Sequence, residues 1–177
     1  MVKTSETTSG RVGAIRMVSG GQTGVDRAGL AWAIRRGIPH GGWCPKGRLA
    51  EDGPIPARYR LQPTPLAHYA QRTVWNARDS DATVIFSRSK RLSGGSQATR
   101  EACRKFGKPM LHLAAETLTV TESALALRRF LRRHPVRALN VAGPRKSEEP
   151  DAGRFARAVL DATFGFTSGA RQGRGGV

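Results

Sequence analysis

The chain has little cysteine, little acid and no long apolar run. Its 2 cysteines in 177 residues, Cys44 and Cys103, are too few for a disulfide framework and do not sit at metal-ligand spacing. A reducing compartment would keep both as thiols, so packing is their expected role and no dedicated protein metal site is expected. No apolar stretch approaches the length of a membrane span. Near the N-terminus, Ala14 to Val18 is too short for a signal peptide and reads as a strand. A cytoplasmic protein with no membrane partner is the expectation. Acidic residues number 13 against 30 Lys and Arg, a net charge of +17. That imbalance favours an anionic partner: a nucleotide, a phosphorylated cofactor, nucleic acid or polyphosphate. The denser basic groups are Arg88-Ser89-Lys90-Arg91, Arg128-Arg129 with Arg132-Arg133, and Arg171 with Arg174. Arginines so dispersed fit either a solvated surface or weak nucleic-acid association.

What is present begins with Ile15 to Leu30, a short apolar strand, a glycine turn and the start of a helical pattern. The turn Ser19-Gly20-Gly21-Gln22-Thr23-Gly24 lacks a following Lys-Ser/Thr pair and is not GxGxxG, which excludes a Walker loop and the dinucleotide fingerprint. A strand, a tight glycine turn and a helix start still make an anion site, because unpaired N–H groups of the first turn point at the ligand. The alternative is a tight connection without a ligand.

Arg35-Arg36-Gly37 closes the first helix, and Ile38 to Trp43 supplies a second strand. The long loop Gly41 to Pro54 follows, in which Trp43 is placed to stack on a ring while Lys46 and Arg48 meet phosphate; alternatively Trp43 plugs the loop onto the core. A helix from Pro65 to about Ala77 puts Arg72 and Asn76 on one face, within reach of one ligand. Ala82 to Ser87 is the clearest strand, followed by a second glycine turn, Leu92-Ser93-Gly94-Gly95-Ser96, and a helix from about Gln97 to Phe106. Met110 to Leu113 and Leu139 to Ala142 read as further strands, the latter ending in Gly143-Pro144-Arg145. Helices are expected at Ser123 to Arg133 and Asp151 to Phe164. Strands alternating with helices predict an α/β fold with a parallel sheet, its ligand beyond the carboxyl ends of the strands. Residues 1–11 and 167–177 read as flexible ends around one domain over 12–166.

The segments SGGQTGVDRAGL at Ser19 to Leu30, GGWCPKGRLAEDGPIP at Gly41 to Pro56, RTVWNARDSDATVIFS at Arg72 to Ser87 and GGSQAT at Gly94 to Thr99 carry a resemblance. Through them, with AGPR at Ala142 to Arg145, the chain resembles the molybdenum-cofactor-carrier-like branch of the Rossmann-like superfamily that also holds the cytokinin-activating phosphoribohydrolases. The resemblance implies a Rossmann-like three-layer αβα sandwich with a mainly parallel sheet of about five to six strands, often a homo-oligomer. It also implies a ligand at the glycine turns: the molybdenum cofactor (molybdopterin) or a nucleotide-like phosphate. Ser19, Gly20, Gly21, Gln22, Thr23 and Gly24 form the first expected cradle and Gly94, Gly95, Ser96 and Thr99 the second, with Ser87, Gly143 and Arg145 at the same edge.

Two activities are weighed against simple carriage of a small phosphorylated anion. Cleavage of a base–ribose phosphate bond needs a carboxylate, for which Asp26, Glu51, Asp52 and Glu101 are candidates. The hydrolase relatives carry PGGxGTxxE where this chain has Ser93 to Glu101, with Ser93 for the proline and Gln97-Ala98 for Gly-Thr, which departs from the hydrolase pattern. Asp26 reads first as an acid at a helix start, and Glu101 first as a surface ion pair with Arg100 or Arg104. Nonspecific nucleic-acid binding would instead show steep salt dependence. Gly21→Val is expected to abolish retention of a small ligand by driving a side chain into the first cradle, measurable as loss of ligand through purification.

Overall fold

The computed structural model describes residues 15–165, so the expected flexible ends, with Arg171 and Arg174, lie outside the described residues. Along the chain come β1 (Arg16–Val18), α1 (Val25–Arg35), β2 (His40–Gly41), β3 (Trp43–Cys44), β4 (Leu49–Ala50), β5 (Gly53–Pro54) and β6 (Gln62–Pro63). There follow α2 (Tyr69–Arg78), β7 (Ala82–Ser87), α3 (Gly94–Lys105), β8 (Met110–Ala114), α4 (Val120–Arg133), β9 (Ala138–Ala142) and α5 (Ala152–Phe164).

Five strands pair in parallel in the order β2-β1-β9-β7-β8. The last strand in sequence therefore lies in the middle, with Met17 opposite Leu139 on one side and Val84 opposite Val141 on the other. Every residue of β7 is buried, as a strand covered on both faces requires. Helices α1, α4 and α5 pack side by side in one layer, and α2 packs against α3 in the other. The larger core gathers Trp32, Phe86, Leu127, Leu139, Val141 and Leu160, and a smaller one gathers Ala77, Ala102 and Cys103. This is a Rossmann-like three-layer sandwich. Among the described residues no helix is long and apolar enough to cross a membrane.

The second strand is shorter than its apolar run suggested. At Gly42 the chain turns out of the sheet with φ 132°, where a Cβ would stand 2.2 Å from the Ser19 carbonyl oxygen. The expected loop then folds into two small sheets, β3 parallel to β6 and β4 antiparallel to β5. These enclose a separate core of Leu30, Cys44, Ala50, Ile55, Tyr59 and Leu61. Arg48 holds that unit together, its guanidinium donating to the carbonyls of Leu61 at 2.8 Å and Tyr59 at 3.0 Å and reaching those of Ile55 and Pro56. Both cysteines are buried and unpaired, and burial pushes their thiols up. Helix α2 starts at Tyr69 rather than Pro65, α3 starts at Gly94 rather than about Gln97, and α4 starts at Val120 behind a Thr119–Glu122 capping box.

Asn76 joins α2 to this small unit. Its Oδ1 accepts from the Trp43 backbone N–H at 2.8 Å and its Nδ2 donates to the Trp43 carbonyl at 2.9 Å. The side chain thus stands in for a neighbouring strand at a buried position. Asn76→Ala leaves both backbone groups unpaired, and should lower the unfolding free energy by about 2 kcal/mol in a urea titration; a loss below ~0.5 kcal/mol would contradict this role.

Candidate functional site

The start of α3 is open. Its first intrahelical bond runs from Gln97 N–H to the Ser93 carbonyl at 3.1 Å, leaving the amides of Gly94, Gly95 and Ser96 ahead of it without an acceptor among the described residues. No side chain caps the helix and its first turn carries no acid. Such amides, with the positive end of the helix dipole behind them, attract an anion. Thr99 does not face outward, since its hydroxyl donates back to the Gly95 carbonyl at 2.9 Å.

These residues border a cavity of about 270 Å³ lined by Gln22, Tyr69, Ala70, Arg72, Thr73, Gly94, Gly95, Ser96, Ala98, Gly143, Arg145 and Glu148. It lies beyond the carboxyl ends of β1, β7 and β9, where the three glycine-bearing turns emerge. Two cations serve it. Arg145 donates from Nε to Glu148 at 2.9 Å and lies 3.9 Å from Glu51. Arg72 is largely buried, donates from Nη1 to Asp26 at 2.8 Å, and keeps its buried Nε without a partner. Its guanidinium lies directly over Gly20, where a Cβ would stand 1.9 Å from Nη1.

The turn before α1 is built differently, although it reads much the same in sequence. Gln22 N–H donates to Asp26 at 3.3 Å, Thr23 N–H to the Gln22 side chain at 3.0 Å, and Val25 N–H to the Pro144 carbonyl at 3.4 Å. The Thr23 hydroxyl donates to Glu51, whose carboxylate also accepts from the Ser147 hydroxyl and, at 3.3 Å, from the Ser147 N–H. Ser19 donates to the Val141 carbonyl at 2.6 Å. Only Gln22 of this turn reaches the cavity. A Cβ at Gly21 would strike Leu61 at 2.5 Å, so valine there would disturb the small core and not a cradle.

Several expected ligand residues are placed elsewhere. Trp43 donates from its indole to Asp79 at 2.8 Å and meets Trp75 edge-on at 4.7 Å, which spends its ring and its N–H away from the cavity. Lys46 is exposed on a turn outside the cavity lining. Arg48 and Asn76 are committed to backbone groups of the small unit, as above. Ser87 is buried and donates to the Ser89 carbonyl at 2.6 Å, with His112 Nε2 at 2.7 Å.

None of the four candidate carboxylates lines the cavity. Asp26 lies buried against Arg72; burial pushes its carboxyl up while Arg72 pulls it back. Asp52 forms a two-pronged pair with Arg27. Glu101 is exposed and accepts from Gln97 at 2.7 Å, rather than pairing with Arg100 or Arg104. Glu148 is the carboxylate that does line the cavity, and the sequence reading missed it, along with Tyr69, Ala70, Thr73 and Ala98. Among the described residues no group of three or more His, Cys, Asp or Glu could hold a metal ion.

The circularly permutated YpsA SLOG family model matches residues 17–164. Among solved structures, the crystal structure named "Putative molybdenum carrier protein" from Syntrophus aciditrophicus SB is similar. It shares 40% identity over 85% of this chain and 95% of that chain, with a TM-score of 0.83. No curated protein matches.

Hydrogen bonds from Ser147 and Thr23 hold the Glu51 carboxyl below its ordinary value. A depressed folded-state value means that the group's stabilisation is present above the unfolded value, 4.5, and is lost as pH falls through the folded one. Melting temperature should therefore drop over that acidic window in the native chain, with a shallower drop in Glu51→Gln; identical slopes would contradict a stabilising role for the Glu51 hydrogen bonds to Thr23 and Ser147.

Proposed function

The chain belongs to the circularly permutated YpsA SLOG family, Rossmann-like and related to the cytokinin phosphoribohydrolases, and from that premise we propose that it binds and carries a small phosphorylated anion at the α3 turn. The ligand is a phosphorylated pterin–molybdenum cofactor or a related nucleotide-like phosphate, in keeping with the carrier named among the similar structures. The observation that supports this most is the set of unclaimed amides at Gly94, Gly95 and Ser96 opening into a cavity that also holds Arg145 and Arg72. Each amide contributes a donor to phosphate oxygens, and the two guanidiniums add charge-assisted bonds at fixed positions.

The cavity, at about 270 Å³, is just below the usual range for small-molecule sites. It suits a phosphate with one ring system, the remainder of a larger cofactor projecting outward. The donor set fits a phosphate and offers no thiolate, since Cys44 is buried in the small core. A carried metal would therefore keep its ligands on the cofactor's own atoms. Carriage is preferred to bond cleavage because the cavity's carboxylate, Glu148, is engaged by Arg145, while Asp26 lies beneath Arg72 and Glu101 faces solvent.

Calorimetric titration with inorganic phosphate tests the reading. Gly95 has open space where a Cβ would stand, so Gly95→Asp should fold while placing a carboxylate beside the amides. Phosphate binding should fall at least about tenfold in that variant, and by about tenfold in Arg145→Ala, the effect of losing one charge-assisted contact. Native affinity in Gly95→Asp would overturn the proposal.

A further inference from the structure

We infer that Tyr69 is the platform on which the ring of the cavity's ligand stacks, so that the site selects a planar heteroaromatic phosphate over phosphate alone. The inference rests on the anion reading above and names its ligand class. Tyr69 is the first residue of α2 and the one aromatic among the described residues that line the cavity. It is 42% exposed, so its ring is accessible to a molecule entering the cavity. Tyr69 and Arg145 line the same cavity, which puts the ring in one space with the cation assigned to the phosphate.

The neighbouring lining leaves room for a flat ligand. Ala70 and Ala98 carry only methyl groups, and the Thr73 hydroxyl spends its proton on the Tyr69 carbonyl at 3.0 Å. A ring lying there meets a face and small side chains, so its recognition comes from stacking more than from edge hydrogen bonds. Trp43 does not supply that face, because its ring is already packed on Trp75 and its N–H bound to Asp79.

The test is a set of calorimetric titrations with inorganic phosphate and with AMP, on the native chain, Tyr69→Phe and Tyr69→Ala. The native chain should bind AMP at least about tenfold more tightly than phosphate, the scale of one base–aromatic stack. Tyr69→Phe should keep most of that ratio, and Tyr69→Ala should reduce it to within about threefold. Thermal melting of each variant at the native temperature establishes that the exposed position was changed without unfolding. A native chain that binds phosphate but AMP no better would overturn the platform alone. So would an undiminished ratio in Tyr69→Ala, or an equal loss in Tyr69→Phe, which would assign the effect to the hydroxyl. A native chain that binds neither probe would overturn the anion reading and the platform with it.

Discussion

The structure depends on one pairing constraint: β9, the last strand, must hydrogen-bond to β1 on one side and β7 on the other. Those two strands lie far apart in sequence and do not touch each other in the sheet. Inserting β9 brings three turns to one edge, after Val18, after Ser87 and after Ala142. From β1 the chain runs outward to β2, and from β7 it runs the opposite way to β8. A crevice opens where strand order diverges in this way, and the cavity lies in it. Arg72 from α2 and Arg145 from the β9–α5 connection reach the same space because the sheet puts their elements there.

Within that crevice, two turns of similar composition end in different electrostatic states. At α1 three amides are claimed internally, Gln22 by Asp26, Thr23 by the Gln22 side chain and Val25 by the Pro144 carbonyl. A buried acid in the first turn already answers the dipole, and a second anion there would meet repulsion. At α3 the corresponding groups face open space. The cations are not bare, since Arg72 holds Asp26 and Arg145 holds Glu148. An incoming ligand must therefore compete with carboxylates, a contest in which a doubly charged phosphate has the advantage.

The strands of the main sheet were legible because each is a short apolar run bounded by Gly, Pro or charge, and Ala82–Ser87 could hardly read otherwise. Their order was not, since nothing local in Leu139–Ala142 says that it will part β1 from β7. Gly41–Pro54 looked like a functional loop because it is long, rich in Gly and Pro, and studded with charge. Its core is assembled from single residues such as Cys44, Ile55 and Tyr59, with Leu30 contributed by α1. Trp43 and Arg48 carry the chemistry of ligand residues, but their partners, Asp79 and the carbonyls of residues 55–61, come from elsewhere in the chain and claim them first. Tyr69 was not singled out as a ligand residue; the available signal was its spacing three residues before Arg72, which puts the two on one helix face. The similarity of Ser19–Gly24 to Ser93–Ser96 concealed their difference: Asp26 and Gln22 accept from amides of one turn, while Glu148 lies beside the other and is held by Arg145.

The central claim is that anion binding belongs to the amides of α3 and not to those of α1. Following backbone ¹H–¹⁵N resonances of the native chain during titration with inorganic phosphate tests it most directly. The account predicts saturable shifts concentrated at Gly94, Gly95 and Ser96, with the amides of Gln22 and Thr23 little changed. Shifts centred on Gly20 to Gly24, with the α3 turn unmoved, would contradict it.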